Sequence, residues 1–478
     1  MKDHEFLVGG NWRRSNERVD IIFPHTGEVA GRIYQAGRED LEEALVCAVR
    51  GFEITRELSG YRKADILTRL ADEVKERSDE LAETMVLEGG KTCSFASSEV
   101  LRAISTLRVS AEEAKRIGGE VIPLDWSAES EGRIAVTRRF PLGPVLGIIP
   151  FNFPLNLACH KLGPAIAAGN SIIIKPASST PLTTLMLGEM ALAAGFPGEA
   201  LSVVPCPGPR IEPLVSDDRI ALLSFTGSPE VGWRLKQLAG RKRVCLELGG
   251  NAATVVHDDA HLPYAAGRIV TGGFANAGQV CISVQRVFLH RDIYDRALDM
   301  ILEGVKRLSV GDPRYGETDV GPMIDPVAAE RAFRKVQEAL DSGAVALAGG
   351  EKPEGALFKP TVLANTTPGM RVCREEIFAP VITVTPYEEF REAIKMANES
   401  RFGLQIGIFT QNIGRAMYAF EHAEAGGIQV NDIPTFRMDH MPYGGVKWSG
   451  IGKEGPKYAI EEMTELKLLS VNRAGGLE

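Results

Sequence analysis

The sequence predicts an α/β fold with two doubly wound α/β domains. Three observations carry that prediction. Short apolar runs alternate with longer stretches whose apolar residues recur at helical spacing, the pattern of strands joined by crossover helices into a parallel sheet. The alternation fills the first half of the chain and resumes in the same style in the second half. A length of 478 residues is also too great for one ordinary core and calls for two or three domains.

In order, Phe6-Leu7-Val8, Gly9-Gly10 and Trp12 read as a lead-in hairpin. Residues 38–116 read as helices. Leu41, Leu45, Ala48 and Phe52 share one face, and the next helix keeps its apolar spacing from Tyr61 through Leu81 and Val86 until Gly89-Gly90 stops it. A further helix over 99–116 carries Arg102. Residues 133–139 alternate as a strand before Pro141. Buried strands are expected at 145–149, 171–175, 201–204, 222–225 and 244–248, with helices at 156–168, 183–194 and 231–239 between them. In the second half, helices are expected at 262–276, 293–308 and 329–342, strands at 286–289 and 381–384, and a strand-like tail at 466–471. There is no low-complexity segment and no internal repeat of 20–50 residues.

Composition excludes several function classes. The apolar share of 44% and charged share of 24% are those of an ordinary soluble globular protein. A net charge of −9 argues against a nucleic-acid backbone as partner. No apolar run approaches the ~18 residues of a membrane span, and no signal-type segment follows the first residues. The seven scattered cysteines fit reduced thiols in a cytoplasm better than a disulfide framework. No CxxC or HExxH string argues for a metal.

The chemistry-bearing stretches are few. Cys281 closes Gly278-Gln279-Val280-Cys281, Glu247 sits in Leu246-Glu247-Leu248-Gly249-Gly250, and Asn152 sits in Pro150-Phe151-Asn152-Phe153-Pro154. A lone intracellular cysteine is ordinarily a small buried hydrophobe. A thiol with a carboxylate and a side-chain amide is instead a nucleophile, a base and an oxyanion donor. These strings, with Phe225-Thr226-Gly227-Ser228, Glu375-Glu376-Ile377-Phe378 and Pro442-Tyr443-Gly444-Gly445-Val446-Lys447, keep their order along essentially the whole chain. The set resembles the aldehyde dehydrogenase superfamily. The PFNFPLNLACHK and FRMDHMPYGGVKWSG stretches look most like its lactaldehyde, non-phosphorylating glyceraldehyde-3-phosphate and phosphonoacetaldehyde dehydrogenase branch.

The resemblance implies roles. Cys281 would attack the aldehyde as thiolate, Asn152 would hold the oxyanion, and Glu247 would activate the hydrolytic water, which argues against acyl transfer to coenzyme A. Lys161 and Glu454 match a proton relay, the alternative being a buried ion pair. Family members bind NAD or NADP without the GxGxxG fingerprint, which is absent here. Phe225, Gly227, Ser228 and Val231 mark the pyrophosphate end, although a plain Ser N-cap would look the same. Glu376 and Phe378 match the nicotinamide-ribose positions, with Ala379 in place of the usual glycine. Ser178 stands where NAD-preferring members have glutamate, and with Lys175 it favours or permits NADP. Arg102, His160 and Arg437, with Phe153, line the expected substrate pocket, and two arginines suit a phosphate, phosphonate, sulfonate or carboxylate. Val280 is not the arginine of the glyceraldehyde-3-phosphate group, which argues against that substrate. The expected reaction is NAD(P)-dependent oxidation of a small polar, anionic aldehyde to its acid. The alternatives are a neutral lactaldehyde or glyceraldehyde, or a catalytically silent structural protein on the same fold. Expected units are a dinucleotide-binding domain (1–124 and 141–246), a catalytic domain (247–462) and oligomerisation strands (125–140 and 463–478), which the resemblance joins in a small β oligomerisation flap of a cytoplasmic homodimer or homotetramer, the tail pairing with a neighbouring subunit.

Overall fold

A computed structural model describes residues 3–473. Two large sheets organise it. The first has eight strands in the order Gly450–Ile451, Arg243–Glu247, Leu222–Thr226, Val145–Ile148, Ile172–Lys175, Leu201–Val203, Phe6–Val8, Asn11–Arg13. Its five central strands are parallel, and the pairings toward both edges are antiparallel. Val145–Ile148 and Ile172–Lys175 are buried at every position, because helices cover both faces of a parallel sheet and leave no side for water. Helix Asn156–Ala168 is likewise buried all round, as expected of a helix lodged between layers.

The second sheet has seven strands in the order Val345–Ala348, Thr361–Ala364, Val381–Tyr387, Arg286–His290, Ala253–Val256, Gln405–Phe409, Gly427–Val430. It is parallel except at its first pair. Chain order and sheet membership part at the end: Gly450–Ile451 returns to pair with Arg243–Glu247, and helix Pro456–Glu462 packs on Asn156–Ala168. The return brings the 435–454 segment across the gap between the two sheets.

Several elements differ from the sequence expectation. The helix expected from Tyr61 to Gly89 is two, Gly60–Glu76 and Ser78–Gly89, broken at Arg77 (φ −102°, ψ 25°). There the guanidinium ties Glu80 and Glu189 at 2.7 and 3.0 Å, so the polar break falls where the apolar spacing runs on unbroken. The 99–116 helix begins earlier, at Cys93. Strands Ala253–Val256, Thr361–Ala364, Gln405–Phe409 and Gly427–Val430 had no counterpart in the sequence reading, nor did helices Gly208–Ser216, Phe390–Asn398 and Ile413–His422. The tail strand Thr464–Asn472, expected to pair with a neighbouring subunit, pairs antiparallel along its full length with Arg133–Pro141 of the same chain. Nine consecutive register partners complete that ladder within one subunit, and Val121–Pro123 adds its other edge. No described helix is long and apolar enough to cross a membrane.

Candidate active site

Two cavities meet between the sheets. The larger, about 500 Å³, runs along the carboxyl ends of the first sheet, and the smaller, about 270 Å³, opens toward helix Cys93–Ala114. They share Leu157, Thr226, Glu247, Leu248 and Cys281. The residues read as nucleophile and base therefore stand at the junction, reached from both sides.

Cys281 is presented by strained backbone. After helix Leu262–Phe274 the chain passes through Asn276, Ala277 and Gly278 with φ of 50°, 52° and 68°. Non-glycine residues in this region cost of order 1–3 kcal/mol each and persist only where the surroundings over-determine them. The surroundings do so here. A Cβ on Gly278 would meet the Ala379 carbonyl oxygen at 2.0 Å, and the Gln279 side chain accepts from the Ile324 amide at 2.9 Å and donates to the Asn276 carbonyl at 3.2 Å. The Cys281 Sγ lies 2.9 Å from the Tyr443 hydroxyl. Burial pushes the thiol up to about 12, and the Tyr443 hydrogen bond pulls against that rise.

Asn152 is buried in the turn after Val145–Ile148, and its Nδ2 donates to the Gln279 carbonyl at 2.8 Å. An amide nitrogen carries two hydrogens, so one anchors the side chain to the cysteine loop and the other is left to donate. Glu247 ends its strand as the register partner of Thr226 and Gly450. Its Oε2 is buried without a partner. Burial raises its carboxyl well above the ordinary range, and the nearby charge of Glu454 adds to the rise.

Lys161 and Glu454 do meet. Lys161 Nζ reaches Glu454 Oε1 at 3.4 Å, Thr226 Oγ1 at 2.8 Å and Ser224 Oγ at 3.1 Å. Thr226 also donates to Glu454 at 3.3 Å. Burial opposes ionisation of Glu454, but Lys161 and Arg437 overcome it and bring the carboxyl down to about 2.

Arg102, Phe153 and Arg437 line the smaller cavity, whereas His160, expected on the same wall, is buried and is not among its lining residues; counter-charges that the sequence reading missed accompany them. Arg102 forms a two-pronged pair with Asp439, at 3.1 and 2.8 Å, and lies over the Phe153 ring. Asp439 also accepts from Asn156 at 3.0 Å and faces His160 Nε2 at 3.0 Å. Burial disfavours its charge, but His160 and Arg102 hold the carboxyl well below the usual range. An ionised Asp439 can only accept, which assigns the hydrogen to His160 Nε2. Nδ1 is then the unpartnered buried acceptor. Burial and the adjacent Arg437 keep this imidazole neutral. Arg437 donates to Glu454 at 3.2 Å and stacks 3.7 Å above the Tyr443 ring, while its Nε is buried with no partner among the described residues.

The larger cavity passes a fit test for a dinucleotide. It is lined by Phe225, Gly227, Ser228, Val231, Glu376 and Phe378. Helix Pro229–Leu238 opens onto it with no side-chain cap on its first amides, the arrangement that suits a pyrophosphate. Glu376 accepts from the Gly250 amide at 2.9 Å, and burial raises its carboxyl to about 7. A Cβ on Gly249 would meet that carboxylate at 2.3 Å, so the cradle around Glu376 requires glycine. Lys175 and Ser178 stand apart from the walls. The Lys175 ammonium is buried on the Pro176 carbonyl at 2.9 Å and Ser178 is exposed, with only Ala177 between them facing the cavity. Remote from the cleft, His257, Asp258 and His290 bring three atoms of metal-ligand type within 4.8 Å of one another. Arg415, 3.8 Å from Asp258 and 3.0 Å from Asp259, supplies positive charge there.

Asp439, Tyr443, Thr226 and Gln279 touch the candidate residues, and the sequence reading gave them no role. All four lay inside quoted stretches. Asp439 left one further signal: buried cations need nearby carboxylates.

Comparison with known proteins agrees with this geometry. The profile of the "Aldehyde dehydrogenase family" matches residues 12–469. A 3-sulfolactaldehyde dehydrogenase of Priestia aryabhattai is 44% identical over 473 residues, covering 99% of this chain and 98% of the relative. The crystal structure of aldehyde dehydrogenase 21 from Physcomitrella patens, in complex with the reaction product succinate, superposes with a TM-score of 0.97 at 40% identity, covering 100% of this chain and 99% of the other. That of glyceraldehyde-3-phosphate dehydrogenase GapN from Methanocaldococcus jannaschii, complexed with NADP, gives 0.92 at 38% identity, covering 96% and 100%. With a cysteine, a buried glutamate and an asparagine gathered where two cavities meet, and with the match running along nearly its whole length, this chain belongs to the aldehyde dehydrogenase family.

Proposed function

We propose that this aldehyde dehydrogenase oxidises a small aldehyde bearing an anionic tail, with NADP or NAD as oxidant. The observation that carries the proposal is charge. Around the smaller cavity Arg102, Lys161 and Arg437 face two ionised carboxylates, Asp439 and Glu454. Burial disfavours the charged forms of His160 and Glu247, so the cations outnumber the carboxylates that hold a counter-charge by one. The neighbouring pairs Lys91–Glu99 and Arg268–Asp432 balance themselves. An uncompensated buried cation is costly until an anion meets it, and the free Arg437 Nε is a donor waiting for one. At about 270 Å³ the cavity lies at the small end of the ~300–1,000 Å³ range of ligand pockets. The named activity of the Priestia relative and the succinate in the Physcomitrella complex are both anionic, in keeping with this choice.

The residues then act in sequence. Cys281 Sγ, as thiolate, adds to the carbonyl carbon. The free hydrogen of the Asn152 amide and the Cys281 backbone N–H hold the oxyanion; one such donor contributes roughly 2.7–4 kcal/mol at the transition state. Phe225, Gly227, Ser228, Val231, Glu376 and Phe378, which line the larger cavity, would hold the nicotinamide dinucleotide, which when bound would accept the hydride leaving the substrate carbon. Collapse leaves a thioester on Cys281, and Glu247, once deprotonated, takes a proton from water as it attacks the acyl carbon. The Lys161–Thr226–Glu454 chain carries protons away from the junction. Ala177 is on the cavity wall between Lys175 and Ser178, which supports reading this stretch as the adenosine end, where a serine in place of glutamate would tolerate a 2′-phosphate.

Residues 1–124 with 141–246 are assigned to cofactor binding and 247–462 to catalysis, with the 450–462 segment packed back on the first sheet. The 125–140 and 463–478 strands serve assembly of a cytoplasmic homodimer or homotetramer; 474–478 lie outside the described residues. A neutral hydroxyaldehyde such as lactaldehyde is the second reading. Its support is a lactaldehyde dehydrogenase of Methanocaldococcus jannaschii, 38% identical over 472 residues. NAD(P)H absorbance with a panel of sulfonated, carboxylated and neutral three- and four-carbon aldehydes decides between them. Higher kcat/KM for the neutral members would reject the anionic reading, and no turnover of any aldehyde would favour a silent structural role.

A further inference from the structure

We propose that Tyr443 is a catalytic residue: its phenol donates a hydrogen bond to the Cys281 thiolate and sets how readily that thiolate forms. The proposal rests on the reading of Cys281 as nucleophile, but on no choice of aldehyde.

The geometry is specific. Tyr443 is buried, at 4% exposure, and a buried phenol ordinarily finds a polar partner. Among the described residues the recorded hydrogen-bond partner of this hydroxyl is the Cys281 Sγ, at 2.9 Å. A neutral thiol is a weak acceptor and a weak donor, so the contact is worth little while Cys281 is protonated. When the thiol gives its proton to water in the cavity, sulfur keeps the electron pair and can only accept. The Tyr443 O–H then points at a full negative charge, and the bond becomes charge-assisted. Burial keeps the phenol protonated far above the ordinary tyrosine range, so the proton does not pass to the sulfur's place.

The ring is fixed for this task from both sides. Its backbone is bridged to Glu454, with Tyr443 N–H donating to the Glu454 carbonyl at 3.1 Å and Glu454 N–H returning at 2.6 Å. Arg437 lies 3.7 Å over its face. The same contact works twice in a turnover. It stabilises the attacking thiolate, and it stabilises the thiolate that leaves when the thioester is hydrolysed.

Tyr443→Phe removes one oxygen and keeps the ring beneath Arg437 and both backbone bonds. The test is the pH dependence of Cys281 alkylation by iodoacetamide, in which sulfur bonds to the methylene carbon and iodide leaves. The labelled peptide is followed by mass spectrometry, so that the other cysteines do not intrude, and circular dichroism and Tm check the fold. A hydrogen bond to a charged group is worth enough to displace the alkylation profile upward by about one to two pH units, a displacement read on its rising limb at neutral to mildly alkaline pH because burial already pushes the thiol up to about 12. Below both midpoints the variant should react roughly 3- to 10-fold more slowly, the higher intrinsic nucleophilicity of the more basic thiolate offsetting part of the loss. A role in packing alone would shift Tm and leave the midpoint in place. Superimposable profiles for parent and variant overturn the proposal while leaving Cys281 as nucleophile. Failure of the parent to alkylate Cys281 at any pH overturns both. Neither result bears on substrate charge, which the aldehyde panel reads separately.

Discussion

Arg437→Leu should separate charged from neutral substrates. The guanidinium has two partners in the free protein: Glu454 Oε2 at 3.2 Å and the Tyr443 ring at 3.7 Å. Its removal costs every substrate something, because Glu454 is left with Lys161 at 3.4 Å and the tyrosine loses its cover. That common loss cancels in a ratio. The part that does not cancel is the lost charge-assisted contact to the anionic tail, about 1.5–3 kcal/mol, or roughly 10- to 100-fold in kcat/KM. Charge counting agrees in sign, since the variant neutralises the one uncompensated cation of the pocket. The assay is the ratio of kcat/KM for a sulfonated or carboxylated aldehyde to that for a neutral aldehyde of equal length, in parent and variant. Arg102→Leu should shift the same ratio less, because Arg102 is already spent on Asp439 through two bonds and is partly exposed, where solvent screens it. His160→Phe should behave similarly but more weakly, a neutral imidazole offering one donor. An unchanged ratio in both arginine variants would refute the anionic reading and leave the hydroxyaldehyde one.

Three further outcomes are expected. Cys281→Ala should abolish oxidation yet keep dinucleotide binding, measured by quenching of protein fluorescence, because the nucleophile does not shape the larger cavity's helix end; full activity would end the mechanism. Glu247→Gln should give a burst of NAD(P)H and then a slow phase. In the parent, deacylation should rise with pH above the ordinary carboxylate range, since a base with a raised pKa is deprotonated only there; an unchanged steady state in the variant would remove Glu247 as base. Ser178→Glu should move the kcat/KM ratio from NADP toward NAD, because a carboxylate repels a 2′-phosphate and accepts from a 2′-hydroxyl; no movement would place Ser178 away from the ribose.

How much was legible in the sequence follows the range of the forces involved. Strands such as Ile172–Lys175 and helices such as Asn156–Ala168 were readable because burial writes a local apolar pattern. The break at Arg77 was not, since the apolar spacing runs through it and the cause is an ion pair reaching Glu189. Strands Ala253–Val256 and Gln405–Phe409 are interior strands of the second sheet, yet they are short and abut turns that blur their edges. The positions of Cys281, Glu247 and Asn152 were legible as ordered strings. What no string records is their partners. Asp439 meets Arg102 across 337 residues and Tyr443 meets Cys281 across 162, joined only because the 435–454 segment crosses between the sheets.

That crossing also explains why paired arginines do not argue against an anionic substrate. A bare guanidinium in a closed cavity would be too costly to hold in the free protein. Asp439 and Glu454 let the fold carry Arg102 and Arg437 into the pocket in advance, and each also fixes a second group, His160 in one case and Lys161 in the other. Were the carboxylates equal in number to the cations, the site would be neutral and an entering anion would have to displace one of them. Burial disfavours the charge of Glu247, and while it is protonated the balance falls one short, so an anion is attracted without any pair being broken. The attraction weakens when Glu247 ionises. Tight binding of the charged aldehyde and readiness for hydrolysis thus belong to opposite protonation states of one residue, and KM for an anionic substrate should rise with pH as deacylation quickens. A KM that holds constant while deacylation accelerates would show that Glu247 does not share the field of the pocket.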